Sequence, residues 1–411
     1  MTGELNWKKN IALFLTGQAV SLIGSSLVSY AIMWHVTLKT GSGTMLMVFT
    51  IAIMLPTFFI SPFGGVWADN YNRKNLIMLS DGFIAAVTLV IAICYSMGIE
   101  SLGFLLSCSV ARSLGQGVQM PAINSLIPQI VPKEHLLRVN GINSTIMSVS
   151  MLGTPALAGA ILTFFPIQTI LFIDVVTAAV GISILLVFVK VPDPKRKDSA
   201  EEGGGEPEKP SVLADLKEGI GYIRGHTFLL RFFIIVACFT FLLAPAALLT
   251  PLQVIRNFGS DVWRLTFIEI AFSIGMLAGG VLMSTWGGFK NRTFSVAASF
   301  ILMAGMSVGL GVTRVFTLYC IFMAVIGLTA STSNTPALTI LQQKIDPDYM
   351  GRVVSIMTMI TSVVMPLGTV VFGPLSDRFS LNWIIIITGG LIAVLGAYLF
   401  ADKELIKAGR P

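Results

Sequence analysis

The stretch "GGVWADNYNRKN", residues 64–75, places a compact polar segment between two long apolar runs. A short polar turn between apolar runs is typical of a connection between two membrane-spanning segments. The whole chain has the matching composition: of its 411 residues, 54% are hydrophobic and 12% are charged, whereas a soluble domain has about 25% charged residues. A mean hydropathy of +0.82 therefore excludes an ordinary soluble protein and indicates an integral membrane protein.

The apolar runs are continuous, and most are long enough for a helix to cross the hydrocarbon layer. Such runs favour helices over the alternating, roughly ten-residue signal of a membrane β-barrel. We predict an all-α protein with twelve transmembrane helices, at residues 9–37, 43–68, 75–97, 101–127, 137–164, 167–189, 227–255, 263–287, 293–312, 315–341, 350–374 and 381–401.

The two halves of the chain repeat one another. Gly64-Gly65-Val66 recurs as Gly279-Gly280-Val281, and Pro121-Ala122 recurs as Pro336-Ala337, both at an offset of 215 residues. A constant offset that links the second span to the eighth, and the fourth to the tenth, indicates duplication of six helices. Two pseudo-symmetric six-helix bundles around a cavity are the usual architecture of a secondary transporter.

The polar segment between the halves divides the chain into a bundle at 1–190, a linker at 191–226 and a bundle at 227–411. The linker begins with "DPKRKDSAEEGGGEPEKP" (193–210), whose charge, glycine and proline predict a flexible connection. Apolar residues at helical spacing in 211–224 then predict an amphipathic helix on the membrane surface; a plain extension of the seventh span is the alternative. Basic residues concentrate on one side of the predicted spans, so both termini should be cytoplasmic, and the net charge of +6 reflects orientation rather than nucleic-acid binding.

Gly65, Asp69 and Arg73 in the opening stretch are spaced by four, and Lys74 follows. Glycine permits close helix approach, an acid at a helix end suits a neighbouring helix N-terminus, and the bases can bind carboxylates or carbonyls. These residues should form a cytoplasmic latch between the bundles. The stretch resembles the loop signature of the major facilitator superfamily, with Asn70 and Asn72 replacing the usual base and glycine. Asn72 is expected to adopt the left-handed backbone that glycine would supply.

Other stretches narrow this resemblance to a branch. "GTPALAG" (153–159), with Gly153, Pro155 and Gly159, resembles the Gly-Pro signature of antiporter-type members. The stretches at 17–26, 111–122, 267–280 and 365–377 are similar to bacterial macrolide-efflux exporters. The resemblance implies the fold predicted above, proton-driven export of drugs, and location in the bacterial inner membrane as a multi-pass protein.

Four ionisable residues lie inside predicted spans, where charge is costly and usually marks a pathway or a partner. Arg112 is read as a cavity cation that binds a carboxylate or acts on a proton-carrying acid, with a pin to backbone carbonyls of the N-terminal bundle as the alternative. Glu269 is the main proton-carrier candidate, and pairing with Arg264 or Arg256 is its alternative. The remaining proton-coupling candidates are Asp174, which could instead brace the outer helix ends, and Asp81, which could instead bond to Arg73 or Lys74.

Neutral polar residues in the spans are candidates to line a substrate cavity, although many such residues join helices instead. The candidates are Gln18, Ser25, Gln116, Asn143 and Asn334. The cysteines and histidines lack metal-ligand spacing, and no phosphate-binding loop or catalytic constellation is visible, so no metal, cofactor or enzymatic activity is expected.

We therefore expect a proton-coupled exporter of hydrophobic or amphipathic compounds such as macrolides, working by alternating access. An exporter of an endogenous metabolite or siderophore, whose anionic group contacts Arg112, remains the alternative within transport. A membrane sensor or scaffold that does not transport is the alternative from another class. The expected partners are the small substrate and the lipid bilayer, with no nucleic acid and with a monomeric chain.

Overall fold

A computed structural model describes the backbone of residues 4–189 and 212–410. The side chains of residues 4–6, 69, 133, 212–216, 347 and 348 lie outside the description, as does the predicted flexible stretch at 193–210. Within the described ranges all regular secondary structure is helical, and no β-strand forms. By their internal contacts the residues form two compact units: unit 1 is Met1–Thr40 with Val48–Ser199, and unit 2 is Gly41–Met47 with Ala200–Pro411.

Unit 1 is built from six long helices. They are α1 (Glu4–Thr40), α2 (Gly43–Asn70, whose first residues belong to unit 2), α3 (Arg73–Ser96), α4 (Leu102–Ile130), α5 (Leu136–Phe164) and α6 (Ile167–Phe188). Helix α1 packs on α5 and α6, while α3 packs on α4 and α6. Small residues allow the closest of these contacts: a side chain at Gly181 of α6 would meet the Gly17 carbonyl of α1 at 2.9 Å.

Unit 2 contains nine helices in its described part. They are α7 (Val212–Gly225), α8 (Thr227–Leu248), α9 (Thr250–Phe258), α10 (Val262–Trp286), α11 (Arg292–Val312), α12 (Phe316–Lys344), α13 (Pro347–Arg378), α14 (Leu381–Ala401) and α15 (Lys403–Ala408). The main packing pairs are α10 with α12, α11 with α12 and α14, and α8 with α13 and α14. Helices α8 and α9 together make one apolar span, Thr227–Phe258, interrupted at Leu249.

Eleven described helices or helix pairs are long and apolar enough to cross a membrane. The remaining predicted span, the fourth at 101–127, corresponds to α4, which has 29 residues and thus the required length. It is more polar than the others because it carries Arg112 and three glutamines, Gln116, Gln119 and Gln129. Polar side chains in a helix of spanning length indicate a face turned towards protein or a cavity rather than lipid.

The duplicated glycine pair performs the same packing task in both units. In unit 1, a Cβ at Gly64 of α2 would lie 2.8 Å from the Gly117 carbonyl oxygen of α4. In unit 2, a Cβ at Gly279 of α10 would lie 2.5 Å from the Leu328 carbonyl oxygen of α12. The second and fourth helices of each repeat therefore approach each other through the first glycine of the pair, as expected for repeated bundles.

Helix α7 occupies the segment predicted to be amphipathic, and it packs on α13. Ile223 enters the core of unit 2, the Tyr222 ring stacks on Tyr349 with centroids 4.3 Å apart, and Glu218 pairs with Arg352 at 3.3 Å. The alternative that this segment extends the seventh span is wrong, because His226 leaves the helical conformation between α7 and α8.

The second glycine of the pair provides a matched control for this packing. We expect Gly279→Ala to lower the free energy of unfolding by about 1–3 kcal/mol, because its methyl group meets the backbone of α12. Gly280→Ala should leave stability unchanged or raise it by up to about 1 kcal/mol, since Gly280 faces open space and alanine favours helices. Thermal unfolding in detergent measures both, and equal behaviour of the two variants would contradict the packing role of Gly279.

Candidate functional site

A buried ion pair lies at the centre of unit 1. Arg112 of α4 is 4% exposed and Asp174 of α6 is 0% exposed, and Nη1 of the arginine lies 2.8 Å from Oδ2 of the aspartate. Thr88 of α3 donates to the same Oδ2 at 2.9 Å and also accepts a bond from Arg112 Nη1. Ser25 of α1 donates to the other oxygen, Oδ1, at 3.1 Å. Four helices thus converge on one compensated charge.

The structure agrees with the reading in which Arg112 binds a carboxylate, and that carboxylate is Asp174. The alternative of a pin whose main partners are carbonyls is wrong, and Asp174 does not brace the outer helix ends. The sequence did not reveal which carboxylate binds Arg112, because the two residues are 62 positions apart on different helices. An arginine stays protonated in hydrocarbon, so a carboxylate partner with further hydrogen bonds is the physically expected solution.

Asp81 of α3 is the second buried acid of unit 1, 2% exposed. Its Oδ1 accepts hydrogen bonds from Ser21 Oγ at 3.0 Å and from Gln119 Nε2. Its Oδ2 is buried and has no hydrogen-bond partner among the described residues. Arg73 and Lys74, the alternative partners, bond to backbone carbonyls elsewhere.

Glu269 of α10 is half-buried within unit 2. Its two proposed basic partners are engaged with other acids: Arg264 lies 3.2 Å from Asp261, and Arg256 lies 2.8 Å from Asp377. The pairing alternative for Glu269 is therefore wrong. In the part of the chain that the structure describes, no hydrogen bond or ion pair involves its carboxyl group.

A cavity of about 340 Å³ lies within unit 1, beside the buried acids Asp81 and Asp174. Four of the five predicted cavity residues line it, from three different helices: Gln18 and Ser25 of α1, Gln116 of α4 and Asn143 of α5. Its lining contains no ionisable side chain except the phenol of Tyr30. The other lining residues are Leu15, Ala19, Leu22, Ser26, Ser29, Thr57, Gln119, Met120, Ile123, Ile146 and Met147.

Gln119 is the lining residue of greatest interest that the sequence analysis missed. It follows Gln116 by three positions and Arg112 by seven, so all three lie on one face of α4. That polar face within an apolar span was the signal that could have found it. Gln119 both lines the cavity and bonds to Asp81, so it connects the two.

Asn334, the fifth predicted residue, lies in unit 2. It lines a separate pocket of about 210 Å³ between helices α8, α11, α12, α13 and α14. Three phenylalanines and two methionines line this pocket together with aliphatic side chains, and the rings of Phe239 and Phe300 stack in it with centroids 3.9 Å apart. The predicted cavity residues therefore do not all belong to one site.

The opening stretch, 64–75, joins the ends of several helices of unit 1. Arg73 donates to the Ala68 carbonyl at 2.8 Å and to the Ser125 carbonyl of α4 at 2.7 Å. Lys74 Nζ donates to the Leu186 and Val189 carbonyls at the end of α6, at 3.1 and 2.8 Å. These bases satisfy carbonyls that helix ends leave without an intrahelical partner.

Two details of this stretch differ from expectation. Asn72 has φ −64° and ψ 111° and caps α3, accepting from the amides of Lys74 and Asn75, so it replaces glycine without a left-handed backbone. Gly65 has no described atom within 4 Å of a Cβ position, and Gly64 makes the close helix approach instead. The side chain of Asp69, the remaining latch residue, lies outside the described atoms.

The segment that resembles the antiporter signature lies inside α5. Pro155 and Gly159 are buried there, whereas Gly153 is half-buried with open space beside it. Helix α5 packs mainly on α1, so the buried side of this segment belongs to the α1–α5 contact. No cluster of histidine, cysteine or carboxylate residues suited to a metal ion occurs among the described residues.

The buried pair predicts a specific pattern of stabilities. Arg112→Leu and Asp174→Leu should each destabilise the protein by about 3–5 kcal/mol, because each leaves one charge buried without its partner. The double variant should recover most of this loss, since it removes both charges. Thermal unfolding and the monodisperse fraction after detergent extraction measure the effect. A double variant no more stable than either single one would contradict the account.

Comparisons with known proteins agree with this architecture. The chain is 30% identical over 405 residues to a "Macrolide efflux protein A" of Streptococcus pyogenes, which covers 98% of both chains. It is 24% identical over 386 residues to a "Multidrug efflux pump Tap" of Mycobacterium bovis, covering 90% of this chain and 88% of that one.

The fold is also that of solved transporters. A bacterial homolog of the human lysosomal transporter Spinster superposes with a TM-score of 0.71 at 15% identity, covering 99% of each chain. The family model described as "Major Facilitator Superfamily" matches residues 14–369. With repeated helical units, polar groups gathered inside apolar bundles and a match across most of its length, the chain belongs to the Major Facilitator Superfamily of membrane transporters.

Proposed function

We propose that this protein exports neutral or amphipathic drug-like compounds of the macrolide type, exchanging them for protons by alternating access. It would do so in the bacterial inner membrane with both termini cytoplasmic. The single observation that carries the substrate class is the cavity of unit 1, whose lining combines apolar side chains with uncharged amides and hydroxyls. The similarity to a macrolide efflux protein over 98% of the chain supports the same class.

The chemistry of the cavity favours uncharged, hydroxyl-bearing substrates. Amides offer both donors and acceptors, and hydroxyls offer the same at smaller size. At about 340 Å³ the cavity is at the lower end of the size of ligand pockets, about 300–1,000 Å³. It therefore suits one polar face or one substituent of a large amphipathic molecule.

An anionic substrate fits this site less well. Arg112, the cation that would attract it, is bonded to Asp174 and almost fully buried. An anion would have to displace that carboxylate and leave it buried without a cation, which is strongly unfavourable. Export of an anionic metabolite or siderophore is therefore the weaker candidate.

Proton coupling is supported by the acids that have no cationic partner. Glu269 sits in a membrane-spanning helix with no described partner, so its carboxyl group is available to take up and release a proton. Asp174 forms an ion pair with Arg112 and is therefore the weaker candidate for binding a proton. An export cycle requires only that proton binding favour one conformation over the other.

Gradient-driven transport tests the proposal. Wild-type protein in liposomes should accumulate labelled erythromycin when a pH gradient is imposed, and Glu269→Gln should reduce this accumulation at least tenfold. The amide has nearly the shape of the protonated acid but cannot release a proton, so the cycle should stop at that step.

An exposed acid outside the spans provides the control for this experiment. Glu404→Gln at the start of α15 removes one carboxylate from an exposed position and should leave accumulation unchanged. Failure of the wild-type protein to accumulate any macrolide would overturn the proposed export function. Full accumulation by Glu269→Gln would overturn the role of that residue while leaving export intact.

A further inference from the structure

We propose that Asp81 is a second proton-binding group and that Gln119 makes the proton and the substrate compete for one hydrogen-bond acceptor in the cavity. The proposal rests on the export function proposed above and deepens it by naming the residue that links binding to protonation. Gln119 acts as a positioning residue in this scheme, because it transmits the state of Asp81 to the substrate.

The first support is the unsatisfied oxygen of Asp81. This side chain is 2% exposed, and its Oδ2 has no partner among the described residues, whereas Oδ1 accepts from Ser21 and Gln119. A buried carboxylate oxygen without a hydrogen bond is costly, and a proton on Oδ2 both removes the charge and creates a donor. The geometry thus leaves one vacant proton position.

None of the charged side chains described on the neighbouring helices pairs with Asp81 Oδ2. Helix α4 contributes Arg112 and helix α6 contributes Asp174, but these two are bonded to each other. Between residues 10 and 34 helix α1 has no aspartate, glutamate, lysine, arginine or histidine; it contributes Ser21 as a hydrogen-bond donor, and the Gln18 side chain lies near the same carboxyl group. On α3 itself, the bases at its start bond to carbonyls.

The second support is the position of Gln119 between Asp81 and the cavity. Its Nε2 donates to Asp81 Oδ1, and its side chain lines the cavity. While Asp81 is ionised, Oδ2 repels the amide oxygen Oε1, which is left as an acceptor for a ligand. When Oδ2 carries a proton, the acid and the amide can close a ring in which Oδ2–H donates to Oε1 while Nε2–H still donates to Oδ1.

Protonation therefore withdraws Oε1 from the cavity. A substrate hydroxyl that donates to Oε1 stabilises the open, ionised arrangement, and the proton stabilises the closed ring. By linkage, each ligand must weaken the binding of the other by the same factor. This is the sign that an exporter needs if it is to exchange substrate for protons, and it selects substrates with a hydroxyl or N–H donor.

The pH dependence of binding tests this competition. The dissociation constant of erythromycin is measured between pH 5 and pH 8 on full-length protein in detergent, for wild type, Asp81→Asn and Gln119→Leu. Ionisation of erythromycin itself is the same for all proteins, so it cancels when each variant is compared with wild type. Competition with one proton weakens wild-type affinity by up to about tenfold per pH unit below the midpoint of the protonation.

Both variants should lose this pH-dependent component. Asp81→Asn cannot ionise, and Gln119→Leu has no amide to carry the change, although its Asp81 remains. Gln116→Leu is the matched control: it removes an amide from the same cavity and helix without touching Asp81, so it should retain the wild-type pH dependence whatever its affinity.

The possible results separate this inference from the proposed function. A wild-type protein that binds no macrolide at any pH overturns both. A wild-type protein whose pH dependence survives in folded Gln119→Leu, or in folded Asp81→Asn, overturns the competition alone. If Asp81→Asn fails to fold, Gln119→Leu decides the matter by itself, because it leaves the buried acid in place.

Discussion

The cost of holding a charge in hydrocarbon is the constraint on which the rest of this structure depends. Arg112 cannot lose its proton, so unit 1 surrounds it with Asp174, Thr88 and Ser25 from three other helices. That single compensated charge fixes how α1, α3, α4 and α6 meet. It also decides the chemistry of the adjacent cavity, because a cation already bonded to a buried carboxylate does not present a charge to the substrate.

The cost of buried charge also distinguishes the acids that lack a cationic partner from those that have one. Unit 2 satisfies its polar groups in comparable ways: Arg231 pairs with Asp402 at 2.8 Å, and Asp377 binds Arg256 and the first residues of α2. Against this background Asp81 and Glu269, the other acids inside the spans, stand out because neither pairs with a cation among the described residues. Acids of this kind are unfavourable in a purely structural bundle, but the proposed proton-driven cycle requires them, and the described part of each unit contains one.

Much of the fold was predictable from sequence because hydrocarbon imposes simple rules. Span length and the repeat at a constant offset predicted the helices and the duplicated bundles, and four polar residues proposed for a cavity, from three helices, line one cavity of unit 1. The partners of individual residues were not predictable. The pairing of Arg112 with Asp174, the capping role of Asn72 and the choice of Gly64 over Gly65 depend on helix rotation and on which neighbour lies opposite, which apolar runs do not encode. The cavity position of Gln119 could have been predicted, since Gln119 lies on the same face of α4 as Arg112 and Gln116.

The central claim is that substrate and protons move in opposite directions through one protein. The most direct measurement follows the pH inside liposomes that contain the wild-type protein, with a fluorescent pH indicator, while a macrolide is the only substrate supplied. Substrate addition should dissipate a preformed pH gradient at a rate that saturates with macrolide concentration and exceeds the non-saturating rate in protein-free liposomes. Macrolide transport that leaves the gradient untouched would contradict the account.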